Sequence, residues 1–448
     1  MVPPRQFADP NQGLSRQLYG LAWPAFAENV LQTTLGIVAL ALVGQMGSTA
    51  IASVGLGNQI FGTAQTVMAG WAVGTTALVA HQIGAGRGGD AGNITRQSMI
   101  ALAIISIAIT AMIVPFAHPI MLAIGAPDDV AFGGESYLRI LALSLPGAGI
   151  MLVGGGALRG AGDSRTPMWV SGATNIINIV FAYVLVLGMF GAPKMGAEGA
   201  AWAAVIGRSI GAIAIVVVVL QRMPTSSAQR WLDTTVMRRV ASIGGPAAAE
   251  QLTVQVGFLA FNLIAIKIGT SEFAAMQIAF NVAQVSQIAG MAFATAATTM
   301  VGQSLGANRP DRARRAGWQS TWTAVVWMTL MGIVFIIFGD PIFRAFGADD
   351  RVTELGRFAL IVMGIGQAPQ AIAFVLSGAL RGAGDTRATL VGGLIGTVGI
   401  RVGISFLMGI VFGLGFLGIW TAWICDWIAR SLIFVIRFRS KHWERIRM

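Results

Sequence analysis

Charge is scarce in this chain of 448 residues: only 11% are Asp, Glu, Lys or Arg, where soluble domains carry about 25%. A water-facing globule is therefore excluded. Cysteine is nearly absent. The single Cys425 sits in an apolar run, which leaves no intrachain disulfide and no cysteine metal centre. The three histidines, His81, His118 and His442, are scattered near helix ends and form no Glu-x-x-His spacing, ligand cluster or triad. No Gly-x-x-x-x-Gly-Lys-Ser/Thr stretch occurs, so ATP hydrolysis within the chain is not expected. These absences argue against an enzyme and imply no cofactor and no resident metal. Met1 to Gln17 is polar and lacks a cleavable signal.

What the chain does contain is apolar. Hydrophobic residues make up 55% of it, and the mean hydropathy is +0.71. Runs such as 97–117, 167–189, 212–220, 321–338 and 402–419 are long enough, alone or with their neighbours, for bilayer crossings of about 20 residues each. The 58 glycines suit membrane helices that pack closely. The pattern predicts an all-α membrane protein.

The sequence also repeats itself. Gly156-Ala-Leu-Arg-Gly-Ala-Gly-Asp163 recurs unchanged as Gly378-Ala-Leu-Arg-Gly-Ala-Gly-Asp385. The step from Arg159 to Arg381 is 222 residues, and the same step joins Glu28 to Glu250, Gln65 to Gln287, Arg87 to Arg309, Gly125 to Gly347 and Arg208 to Arg430. One ungapped shift across a half means a tandem duplication. The expected organisation is an N-terminal six-helix lobe over 1–221, a linker over 222–238 and a C-terminal six-helix lobe over 239–448. The predicted helices run 17–45, 53–85, 97–117, 136–158, 167–189 and 197–220, then 239–267, 273–306, 317–338, 357–380, 388–412 and 417–438. An even number per half makes about 12 transmembrane helices in two parallel lobes related by a pseudo-two-fold axis.

A net charge of +11 invites a nucleic-acid reading, but the placement of the charge opposes it. Most of the 30 Lys and Arg fall in segments that would share one membrane face, among them Arg5, Arg16, Arg87, Arg96, Arg230, Arg238, Arg309, Arg437 and Arg447. That bias puts both termini in the cytoplasm and the protein in the cell's inner membrane. The basic tail 437–447 is expected to rest on anionic lipid.

Charge inside a span is costly and usually functional. Glu28 and Glu250 each lie four residues after a proline, Pro24 and Pro246. A proline frees a helix carbonyl. A carboxylate one turn on could hold Na⁺, with Glu250 the better placed, or carry a proton. Arg208, Arg401 and Arg430 also fall within spans, with Asp426 one turn before Arg430. They read as a buried ion network or as counter-charges. Gln59, Gln65, Asn178, Asn281 and Gln287 are candidate cleft-lining residues, or helix-to-helix hydrogen bonds. Arg159, Asp163, Arg381 and Asp385 lie in the repeated stretch, expected as a cytoplasmic loop, and read as a structural latch. Twenty Met, 23 Phe and 12 Trp supply adaptable apolar surface, suited to flat organic cations although most of it will face lipid or core.

Together these features resemble the multidrug and toxic compound extrusion (MATE) family. The resemblance rests on Leu-Arg-Gly-Ala-Gly-Asp-Ser/Thr-Arg after the fourth and tenth helices, Val43-Gly44…Gly47 after the first, and Gln82-Ile-Gly-Ala-Gly-Arg87 and Gln303-Ser-Leu-Gly-Ala-Asn-Arg309 after the second and eighth. It implies two six-helix lobes that rock to export organic, often cationic, compounds in exchange for H⁺ or Na⁺. The resemblance implies acids where this chain has Ala39, Ala182 and Gln370, so coupling would fall to Glu28, Glu250 or Asp426. The rival reading is a flippase for lipid-linked precursors. Lobes built within one chain make a monomer sufficient.

Overall fold

The computed structural model describes residues 13–44, 48–225 and 233–446, with backbone only for 37–44 and 48–50. Arg5, Gly47, Arg230 and Arg447, and the side chains of Ala39 and Val43, lie outside the described residues. The described chain is helical: α1 Leu14–Gly44, α2 Ser48–Gly84, α3 Gly88–Ala123, α4 Asp128–Ala142, α5 Leu145–Gly160, α6 Arg165–Leu187 and α7 Ala197–Arg222 in the first half. The second half holds α8 Thr234–Ile268, α9 Thr270–Gly306, α10 Pro310–Ile337, the short α11 Gly339–Ala345, α12 Asp350–Gly382, α13 Thr386–Gly393 and α14 Gly415–Arg439. Twelve crossings result, six per lobe, in the order the duplication requires.

Two crossings depart from the expected single α-helix. The fourth is two helices, α4 and α5, bent by 45°. Pro146 enters the second of them and has no N–H to give Ala142. The Thr110 hydroxyl donates to the Ala142 carbonyl instead, at 2.9 Å. The eleventh begins as α13 and continues in π-helical turns over Leu394–Val402 and Ser405–Val411. Such turns occur mostly as single bulges, often at functional sites. In α3, Pro115 and Pro119 flank Phe116, whose backbone leaves the helical region.

Large apolar side chains remain exposed on many spans, including Ile107, Trp169, Val217, Leu263, Trp322 and Leu432. In lipid this is their favourable environment, and helices satisfy their own backbone groups there. The chain is a multi-pass membrane protein.

Packing and turn geometry account for three positions of the repeated octapeptide. A Cβ on Gly160 would meet the Thr76 carbonyl oxygen at 2.6 Å, and one on Gly382 would meet that of Thr298 at 2.2 Å. Glycine is needed there for α5 to lie against α2 and α12 against α9. Gly162 and Gly384 take φ of 95° and 79°, the left-handed turn that ends a helix. The next residue closes it: Asp163 N–H donates to Leu158 O and Asp385 N–H to Leu380 O, each at 2.8 Å.

The chain forms two compact units. One holds Trp23–Ala248; the other holds 249–446 with 13–22. The divisions fall inside α1 and α8, beside Pro24 and two residues after Pro246. Each lobe thus includes the opening turns of the other half's first helix.

Candidate functional site

Glu28 in α1 is 9% exposed. Its Oε2 accepts from Arg159 Nη1 at 3.0 Å and its Oε1 from the Ser171 hydroxyl at 2.9 Å. Glu250 in α8 is 6% exposed. Its Oε1 accepts from Arg381 Nη2 at 2.7 Å, and its Oε2 from Arg381 Nε at 3.3 Å and from the Thr389 hydroxyl at 2.7 Å. The two networks have the same plan. A glutamate one turn after a proline in the lobe's first long helix meets an arginine from the end of its fourth crossing and a hydroxyl from its fifth. The C-terminal copy is bidentate, the stronger arrangement for an arginine and a carboxylate.

This changes the reading of the repeated motif. Arg159 and Arg381 are not loop residues: they stand in the last turns of α5 and α12 and reach the candidate ion-coupling carboxylates. The aspartates turn elsewhere. Asp163 accepts from the Thr166 backbone N–H at 3.0 Å and from Arg222 Nη1 at 2.6 Å. Asp385 accepts from Arg437 Nε at 2.7 Å. The motif thereby ties the first, fourth, fifth and last crossings of each lobe together, through one ion pair on each side of the glycine turn.

The hydroxyl partners were not found in sequence, because they break the repeat. Ser171 corresponds to Gly393, and Thr389 to Pro167. The C-terminal hydroxyl is supplied one helical turn earlier on the matching helix, so a search at an offset of 222 passes over it.

Arg401 and Arg430 do converge on Asp426. Arg430 Nη2 donates to its Oδ2 at 2.5 Å, Arg401 Nη2 forms an ion pair with the same oxygen at 2.6 Å, and all three side chains are buried. Arg401 reaches across from the first π-helical segment. Arg430 lies 3.9 Å from the Trp427 ring centre, close enough for a cation–π contact. A Cβ on Gly396 would stand 2.3 Å from Asp426 Oδ1, so the cluster depends on that glycine. Asp426 is 0% exposed and already held by two guanidinium groups.

Arg208 is separate from these. Its Nη1 donates to the Ser144 hydroxyl at 2.6 Å, and it stacks 4.2 Å over Phe61. The amides expected along a cleft differ in burial. Gln59 and Asn281 are exposed, Gln65 and Gln287 are half-buried, and Asn178 is buried. Asn281 donates to Gln277 O of its own helix at 2.9 Å. Gln370, where the resemblance implies an acid, is 1% exposed, and both amide atoms lack a partner. Among the described residues, no group of three or more His, Cys, Asp or Glu side chains could hold a metal ion.

The MatE family model matches the chain twice, over 24–184 and 246–407. The two matches start at Pro24 and Pro246, the duplication offset apart. The chain belongs to the MatE family. It is 30% identical to a probable multidrug resistance protein NorM of Thermotoga maritima, over 96% of this chain and 94% of that one. A multidrug resistance protein NorM of Burkholderia vietnamiensis is 28% identical over 94% and 93% of the two chains. In fold the chain matches the outward-facing structure of a multidrug resistance MATE family transporter with a TM-score of 0.89, 19% identity and 98% coverage of both chains. A MOP superfamily transporter from Pyrococcus furiosus matches with the same score, identity and coverage. As a MatE transporter it carries the family's two six-helix lobes, and one of the motifs that pointed to the family, the repeated Leu-Arg-Gly-Ala-Gly-Asp, supplies the arginines that pair with Glu28 and Glu250.

Proposed function

We propose that the protein is a secondary active exporter of small organic compounds in the cell's inner membrane, with both termini cytoplasmic. Export is driven by inward movement of H⁺ or Na⁺ as the two lobes rock. The observation that carries this reading is the duplicated, buried glutamate–arginine pair beside a helix proline, Glu28–Arg159 and Glu250–Arg381. An ion that binds the glutamate competes with the arginine for the same oxygens. Binding therefore releases the arginine and loosens the tie between the lobe's first and fourth crossings. Such an exchange converts ion occupancy into a change of helix packing. The relatives named for multidrug resistance support small organic compounds as the cargo.

The donors around Glu250 weigh against Na⁺ as the coupling ion. Two guanidinium nitrogens and a hydroxyl point at its oxygens. A proton needs only one of those oxygens, whereas Na⁺ would need several oxygen ligands where positive charge now sits.

The test is uptake of ethidium into inside-out vesicles under a pH gradient or a Na⁺ gradient imposed separately. We expect the pH gradient to drive uptake, and Glu250→Gln and Glu28→Gln to lose it. Uptake that survives both substitutions rejects these residues as the coupling site. No uptake under either gradient, with folded protein, turns the reading to a lipid-linked precursor flippase.

A further inference from the structure

At the end of the C-terminal lobe where α10 begins and α14 stops, positive charge exceeds negative, and the cations divide into two groups. Arg437 is paired with Asp385, and Arg314 with Asp311 and Glu444. Those carboxylates are thereby taken up. Arg315, Arg439, Lys441 and Arg445 are exposed and have no carboxylate partner among the described residues. The tail after α14 therefore has two sides. Trp443 is buried and stacks on Phe438, while Lys441 and Arg445 stay exposed.

The two helices touch here. A Cβ on Gly317 would stand 2.5 Å from Phe438 Cζ, and the Trp318 ring centre lies 5.7 Å from that of Phe438. The Arg439 guanidinium, from α14, stands 5.8 Å from the Trp318 ring centre, on α10. Arg315 comes one turn before Trp318 on α10. The same face of α10 continues through Trp322, Val326 and Leu330, all exposed. On α14, Ile436, Leu432 and Ile428 are exposed at helical spacing back from Arg439. Each helix thus presents an unpaired cation at its end and an open apolar strip along the span. Indole rings favour the level of the lipid headgroups, and α10 places two of them between its cation and its strip. The duplication supplies the control. At the offset of 222, Arg315 and Arg439 correspond to Asn93, which is buried, and to Val217, so the first half has no copy of this corner.

We propose that this corner of the C-terminal lobe binds an anionic phospholipid. Its phosphate is held by Arg315 and Arg439, and its acyl chains lie along the exposed strips of α10 and α14. Like charges gathered at one helix end repel one another, and a phosphate offsets that repulsion. The planar donor fork of a guanidinium suits a phosphate in particular, and basic residues beside a span attract anionic headgroups. A soluble anion would answer the charge alone. The succession of cation, indole and apolar strip on one face favours a lipid. Once bound, the headgroup ties α10 to α14 where the tail packs between them and the solvent. The inference stands apart from the exporter reading above.

The experiment uses the full-length protein in nanodiscs of phosphatidylcholine, with or without phosphatidylglycerol. Hydrogen exchange on wild type should show phosphatidylglycerol raising protection in the first turns of α10, the last turns of α14 and the tail. The matching ends of α3 and α7 should not change. No gain, or an equal gain in both lobes, overturns the proposal. Excess inorganic phosphate in phosphatidylcholine discs should not reproduce the effect; if it does, a soluble anion suffices and the lipid assignment fails. Native mass spectrometry then locates the site. With both lipids supplied in equal amount, Arg315→Gln and Arg439→Gln should each lower the ratio of bound phosphatidylglycerol to phosphatidylcholine about fivefold. Arg238→Gln and Arg239→Gln remove the same charge from exposed positions in the opening turns of α8 and should leave the ratio nearly unchanged. An equal fall in both sets of variants would mean diffuse attraction to net charge and would overturn the site. The exchange comparison needs only wild type, so the proposal can fail even where a variant does not fold.

Discussion

Glu250 and Arg381 form the better-made of the two pairs, and the cost of breaking it can be separated from the cost of losing it. Arg381→Gln leaves a carboxylate in a site that is 6% exposed. Removing one partner of a buried pair costs about 3–5 kcal/mol. The partial exposure of the arginine, 24%, places this one at or below the lower end. Adding Glu250→Gln should recover most of that loss, because two neutral amides can bond each other. Thermal unfolding of the single and double variants in detergent gives the coupling directly. Transport should stay lost in the double variant, which separates stability from function. A second residue-scale expectation concerns Gly396. Its Cβ would lie 2.3 Å from Asp426 Oδ1 and 2.5 Å from Arg430 Cγ. Gly396→Ala should destabilise the C-terminal lobe by about 1–3 kcal/mol through overpacking, and the same change at Gly399, which meets nothing within 4 Å, should be nearly neutral. Equal melting of the two variants would contradict the packing described.

At the scale of the helix, α8 carries two separable devices. Its first turn is capped by Asp233, whose side chain accepts from the Thr235 backbone N–H at 2.8 Å. That bond holds the Asp233 carboxyl below its ordinary value. A depressed carboxyl contributes its cap above the unfolded value and loses it as pH falls through the folded one. Hydrogen exchange should therefore show the amides of the first turn of α8 opening below about pH 4, and Asp233→Asn should remove most of that dependence. Further along the helix, Pro246 cannot donate to Ser242 O, so one rung of the ladder is missing four residues before Glu250. Pro246→Ala restores the donor. It should strengthen amide protection over 242–250 and slow transport while leaving the melting temperature unchanged or raised. Faster transport would show that the missing rung is not a hinge.

At the scale of the molecule, each lobe is closed by its own ties. In the C-terminal lobe, the chain end turns back after α14. Trp443 is fully buried and stacks on Phe438 at 4.6 Å, and Arg314 Nε donates to Glu444 at 2.7 Å. The tail was expected to lie on lipid; the structure packs this part of it into the protein. Truncation after Ser440 should cost about 3–5 kcal/mol, the range for losing a buried tryptophan. Exchange protection should fall in α10 and α14 and stay unchanged in α2 to α7. A uniform loss across both lobes would show that the two compact units do not unfold separately.

The fold was legible because membrane helices announce themselves locally. Apolar length, charge placement and the 222-residue repeat each survive without tertiary information, and they reproduced twelve crossings and the family motifs. The break between α4 and α5 could have been anticipated from Pro146. The π-helical turns of the eleventh crossing have no proline to mark them. Glu28, Glu250, Asp426 and the three span arginines stood out because charge in an apolar run is rare. The partners of the two glutamates were not legible as partners. Arg159 and Arg381 sit at helix ends, where sequence gives no direction to a long side chain, and Ser171 and Thr389 are ordinary hydroxyls at unmatched positions. Sequence alone determined which residues are expensive to bury, because that cost belongs to the side chain. Only the tertiary structure decided which of those costs are offset within the chain, as at Asp426, because neutralisation needs two groups within about 3 Å, and that distance is set by packing.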